Sequence, residues 1–329
     1  MILRILKSNR SVNYLLTALF GIILWSTSLI KPYLYSFYNG ESDNLLFRPI
    51  HEFLKSSWFA ESVISLALVL FLAFLIQFLN TQYAFIRIRT MLPAPLFVLI
   101  MGGLTEMHTL HPVYFATVFL MLALYRLFSA FDVSRPYSAA FDSGFFLGVG
   151  ALFYFDIIIL FPAFLAGAAI LSKEKNWRIF TINSIGFLLP LFFALSYAIL
   201  TNQLLEVLKT FEQNLTSVNN HFKKNIYLQI FLVFLSILTI LGSVKIIRQY
   251  DTKKVSSRKY FTVLFLIFIF SLIGFVFIPP VSQEMLVILA IPVCYLVANY
   301  LVFLESRFWG EFFISLFIGI VIFLQIITF

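Results

Sequence analysis

The chain has 329 residues, a net charge of +8 and one cysteine; 61% of it is hydrophobic and only 12% is charged. Ordinary soluble domains carry roughly 25% charged residues, so a soluble globular enzyme is excluded, and apolar runs recurring from end to end define a polytopic membrane protein. The positive balance reads as topogenic Lys and Arg at a cytoplasmic face rather than a nucleic-acid surface. The lone Cys294 allows neither an intramolecular disulfide nor a thiolate metal site.

The first apolar run, 13–30, is followed by Lys31-Pro32 and has no small-residue cleavage site, so it is expected to remain as a first span. The longest polar interruption of the first third comes next, YNGESDNLLFRPIHEFLKSS at 38–57. Within it Leu46, Ile50, Phe53 and Leu54 recur at three- and four-residue spacing. That spacing predicts a short amphipathic helix over 44–57 lying along the membrane–water interface. Pro49 kinks this helix or delays its start, and Asp43 stands where an N-cap would, its bland role being to accept hydrogen bonds from the first free amides.

Further spans are expected near 59–79, 91–105, 112–130, 141–155, 157–172, 179–201, 226–246, 260–278, 285–303 and 311–329. The stretch 141–172 is either one over-long helix or a hairpin of two short arms. Charge decides between them. With the N-terminus inside and a hairpin at 141–172, seventeen of the 23 Lys and Arg face the cytoplasm; a single helix leaves ten. The hairpin also places Asp156 at its outer tip, where a carboxylate reaches water instead of being buried at mid-membrane.

With this topology all four histidines (His51, His108, His111 and His221) fall in outer loops, along with most carboxylates. Any reaction site therefore faces out. His108-Thr-Leu-His111 has the i, i+3 spacing of a chelating pair, but a surface pair in a loop is the commoner explanation. The loop 202–225 carries Leu204, Leu205, Val207, Leu208 and Phe211 ahead of a polar half. It predicts a second interfacial helix with a basic end, Lys223-Lys224, suited to a phosphate or to anionic headgroups. The basic run 245–260 reads as charge held at lipid headgroups.

The acid after a first span, followed by an interfacial helix and short arms, resembles the layout of C-type-fold integral-membrane glycosyltransferases, which use polyprenyl-phosphate-linked sugars. The resemblance covers residues 1–172, with 173–329 as additional spans. It implies that Asp43 or Glu41 is the catalytic acid, as general base or as ligand of a divalent metal. In place of that family's adjacent Asp-Glu pair stands Glu41-Ser42-Asp43. The stretches RTMLPAPLFVLIMGG, HPVYFATVFLMLALYRLF and FDSGFFLGVGALFYFDIIILFPAFLAG are similar to an uncharacterised family of multi-pass inner-membrane proteins from Bacteroidota, sometimes labelled carotene oxygenases.

Taken together, the expectation is an all-α fold of one membrane domain. It has about eleven transmembrane or half-membrane helices and two interfacial helices, N-terminus in and C-terminus out, in a bacterial inner membrane. The expected function is outward-facing transfer from a polyprenyl-phosphate-linked sugar or glycan in cell-envelope assembly. Asp43 and Glu41 would be catalytic, and Arg48, His51, Asp156, Lys223 and Lys224 would bind substrate. The alternatives are a non-catalytic subunit of an envelope or secretion complex, with membrane-protein partners, and a lipid or solute transporter.

Overall fold

Prolines and polar caps set where the helices begin. The computed structural model describes residues 2–7, 12–31, 42–173, 177–216, 225–277 and 283–328. Among these the secondary structure is all helical. In chain order the helices are α1 (Ile2–Lys7), α2 (Val12–Ile30), α3 (Arg48–Leu54), α4 (Trp58–Tyr83), α5 (Pro93–Gly103), α6 (Pro112–Phe128) and α7 (Tyr137–Phe153). They continue as α8 (Phe161–Leu171), α9 (Trp177–Leu200), α10 (Leu204–Thr216), α11 (Ile226–Arg248), α12 (Val255–Phe277), α13 (Glu284–Val302) and α14 (Arg307–Thr328). Pro stands in the first turn of α3, α5, α6 and α8, where its missing N–H costs no helical bond. Ser57 and Asn225 cap α4 and α11, accepting from the Ala60 and Leu228 amides.

Seven of the described helices are long and apolar enough to cross a membrane: α2, α4, α9, α11, α12, α13 and α14. The chain is a polytopic membrane protein. The helices α5, α6, α7 and α8 are shorter. Every residue of α5 is buried, as is nearly all of α13, so these two form the centre of the bundle. Around them pack α2, α4, α6, α11, α12 and α14. Such a short helix in apolar surroundings is tolerated because neighbours, not lipid, enclose its ends.

The stretch 141–172 is a hairpin. Helix α7 stops at Tyr154, whose backbone is extended, and a 3₁₀ turn over Phe155–Leu160 leads into α8. The chain then returns to where it began: the Asp132 amide donates to the Leu171 carbonyl at 3.2 Å and Lys173 to Val133 at 3.3 Å. Helix α9 lies against α7 almost backbone to backbone, since a Cβ on Gly144 or Gly186 would collide with the Asn183 or Phe141 carbonyl oxygen. The Asn183 amide ties the crossing by donating to the Ala140 carbonyl (2.8 Å) and the Ser143 hydroxyl (2.9 Å).

The polar loops converge on one end of the bundle. At the hairpin tip the Leu152 carbonyl accepts from Leu46, and Phe155 packs on Phe211 of α10. Asn214 donates to Asn44 at 2.8 Å, joining α10 to the segment ahead of α3. Gln283, beside the start of α13, donates to Glu106 in the α5–α6 connection at 2.6 Å. The interfacial segment forms a shorter helix than the 44–57 expected. Phe47 and Arg48 both donate to the Asn44 carbonyl, closing a turn, and Pro49 then starts α3. Asp43 therefore caps nothing, because Phe47 occupies the N-cap position.

Candidate functional site

Two polar regions form at that end, one open and one sealed. The open one is a groove of about 760 Å3 between α3, α7, α9 and α10. Phe47, wholly buried, anchors its upper side by packing on Phe115 and on the His51 ring. This fixes the turn that carries Asp43 and Arg48 into the groove. Gln203, just ahead of α10, and Glu206 and Thr210 of α10 face the same space at helical spacing. The charged groups thus sit under a roof made by the two short helices. Below them Phe145 and Leu152 of α7 and Pro190, Phe193, Ala194 and Tyr197 of α9 form apolar walls. The groove is amphipathic along its depth.

Its electrostatics centre on Arg48. The guanidinium Nε donates to Glu52 at 3.0 Å, and Nη1 lies 3.5 Å from Glu206. All three side chains are about half exposed or more, so these pairs are weakly held and exchange readily for another anion. Asp43 is exposed, and the Ser42 hydroxyl donates to its carboxylate at 3.5 Å. Its carboxylate lines the groove beside Arg48.

His51 and Asp156, expected with them, are elsewhere. The half-buried His51 packs on Phe47 with Nδ1 4.0 Å from Glu61. Burial, and then the nearby Lys55, push its pKa down, so it is neutral at pH 7. Asp156 is half-buried in the hairpin break, facing the sealed region. Burial and the Glu284 carboxylate raise its pKa to about 7, offset in part by the Tyr154 hydroxyl. Glu41, His221, Lys223 and Lys224 lie outside the described residues.

The sealed region corrects the reading of His108 and His111 as a surface pair: both are fully buried. The 3₁₀ turn Thr105–His108 folds the α5–α6 connection back into the bundle. There the His108 ring stacks on Trp25 at 3.9 Å, with Nδ1 2.8 Å from the Ser28 hydroxyl. Ser65 links the two, donating to the His108 carbonyl and accepting from the Trp25 indole. His111 lies 3.9 Å from Glu284 and 3.3 Å from the Thr109 hydroxyl. Burial pushes both imidazoles down to about 3. They are neutral structural groups. Among the described residues no three His, Cys, Asp or Glu side chains gather as a metal site; Glu41, expected beside Asp43, lies outside them.

Sequence reasoning missed Glu206 and Gln203 as groove residues, though the 203/206/210 spacing on an amphipathic helix carried that signal. It also missed Glu284 as a buried partner of His111, for which no local pattern exists.

The fold and this groove define a helical membrane protein with an amphipathic cleft at one end. The chain belongs to a family of unknown function (DUF6427), whose sequence pattern matches residues 44–329. That match includes Arg48, Glu206, Ser65, His108, His111 and Glu284, leaves out Trp25 and Ser28 of the sealed network, and begins one residue after Asp43. No curated protein and no solved structure matches the chain.

Proposed function

We propose that this protein is an outward-facing transferase of a bacterial inner membrane, acting on a polyprenyl-phosphate-linked sugar or glycan in cell-envelope assembly. The topology it requires is N-terminus in and C-terminus out. The eleven apolar helices among the described residues then serve as spans or half-spans, and α3 and α10 lie at the outer interface. The observation that carries the reading is the groove itself, with charge under the α3–α10 roof and apolar walls below. An amphiphile with a phosphate-linked head and a hydrocarbon tail matches that division.

In this reading Asp43 is the general base. It takes the proton from an acceptor hydroxyl as that oxygen attacks the anomeric carbon of the donor sugar. The carbon–oxygen bond to phosphate breaks, and polyprenyl phosphate leaves with the electron pair. Arg48, released from its exposed pairs with Glu52 and Glu206, meets the departing phosphate with its planar fork of donors.

The test is complementation of a deletion strain. Asp43→Asn keeps size and hydrogen-bonding capacity but removes the base. Function should be lost while membrane abundance stays normal. Normal growth with normal surface glycans would overturn the catalytic reading and leave a non-catalytic envelope subunit, for which the exposed apolar row Ile185, Leu188 and Phe192 on α9 offers a surface.

A further inference from the structure

A second cavity, of about 430 Å3, is cut into the side of the bundle. Its walls are α11 and α12, both packed on α13, which forms its floor. On α11 it follows one face through Phe231, Leu235, Thr239 and Ser243, and Phe268 and Leu272 oppose them from α12. Of the three wall hydroxyls, Ser236 sits at the exposed rim, and the other two are satisfied within their own helix: Thr239 donates to the Leu235 carbonyl at 2.7 Å and Ser243 to the Thr239 carbonyl at 2.8 Å. The slot therefore presents hydrocarbon to whatever fills it.

Its shape narrows the choice of occupant. From Phe231 to Val244 it runs about 20 Å at 1.5 Å per helical residue. A volume of about 430 Å3 spread over that length describes a slot too narrow to enclose a helix of about 10–12 Å diameter. A partner helix does not fit, whereas an alkyl chain does.

Charge at one end completes the site. On α11, Arg248 follows Val244 by one turn on the slot-lining face, and on α12, Arg258 precedes Phe265 by two turns on the corresponding face. The Arg258 guanidinium stacks on Tyr250 at 5.3 Å, and its Nε is buried without a hydrogen-bond partner among the described residues. A buried, unused guanidinium donor calls for an anionic acceptor. The geometry points to a binding site for an anionic phospholipid, its acyl chain in the slot and its phosphate on Arg248 and Arg258. This end is opposite the Asp43 groove, so the site stands or falls independently of the proposed transferase.

The test uses the full chain purified in detergent, titrated with phosphatidylglycerol and with phosphatidylcholine of equal chain length, and read by native mass spectrometry. Phosphatidylglycerol should be retained about ten-fold more strongly, equivalent to about 1.4 kcal/mol. Arg248→Gln combined with Arg258→Gln should erase that preference. Ser236→Trp, which fills the slot from its exposed wall, should lower retention of both lipids, with unchanged elution and melting showing that the variant is folded. Equal retention of the two lipids, or retention unchanged in both variants, means annular lipid only and overturns the site. A stoichiometric polypeptide displaced by Ser236→Trp would assign the slot to a protein partner and overturn it equally.

Discussion

The groove and the sealed network lie at the same end of the bundle and are built from neighbouring loops, yet they hold their polar groups in opposite ways. In the groove Arg48, Glu52 and Glu206 are exposed, joined by side-chain contacts that water can replace. In the network His108, His111 and Glu284 are fully buried, and His108 is fixed by ring stacking and a short hydrogen bond. Exposed ion pairs contribute little to stability, whereas buried polar groups are costly to disturb. The difference separates roles: the network holds the loops in place, and the groove is left free to bind.

The comparison is broken most severely at His108. Replacing it with Ala removes the ring stacked on Trp25 and the partner of the Ser28 hydroxyl. The expected loss is about 3 kcal/mol of stability, seen as a large fall in melting temperature in detergent. A melting temperature equal to that of the parent protein would mean the network is not structural.

Acid sharpens the comparison. A histidine held near 3 stays neutral in the folded protein while its unfolded counterpart takes up a proton below 6.5, so stability is lost as pH falls. Asp156 has the opposite sign. Its folded pKa of about 7 lies above the unfolded 3.8, so its stabilisation is lost as pH rises through that window. Between about pH 4 and 6.5 His108 and His111 outweigh Asp156, and these three groups together contribute a loss of about 1.4 kcal/mol per pH unit on acidification. Asp156→Asn removes the opposing group, and the loss should steepen to about 2.7 kcal/mol per unit. Melting curves across this range check both slopes; a shallower slope in Asp156→Asn contradicts the assignment.

The smallest stability effect belongs to the groove. Arg48→Gln should lower stability by less than about 1 kcal/mol, because the pairs it breaks are exposed. Complementation should nonetheless be impaired. A strongly destabilised Arg48→Gln protein would place Arg48 with the structural groups.

Much of the fold was legible because apolar runs and polar interruptions are one-dimensional signals. The helices from α2 to α14 fall where the runs are, and the 141–172 hairpin follows from the placement of Lys and Arg. The start of α3 was legible in part: Pro49 announced a delay, but only the Asn44 turn shows that Asp43 is not the cap of that helix. Asp43 and Arg48 meet in one groove because they are five residues apart. The sealed network was illegible because its members come from α2, α4, the α5–α6 connection and α13. A His in a loop between two apolar runs looks exposed in sequence. Its burial depends on the shortness of α5, which draws the turn into the bundle.

The central claim is that the groove turns over a lipid-linked donor with Asp43 as its base. It is tested most directly by mass spectrometry of the lipids extracted from cells carrying wild-type protein or Asp43→Asn as the sole copy. If Asp43 is the base, the variant still accommodates the donor but does not consume it, and a polyprenyl-phosphate-linked sugar accumulates several-fold over wild type at equal protein abundance. An unchanged polyprenyl-phosphate pool in the Asp43→Asn strain would contradict the account.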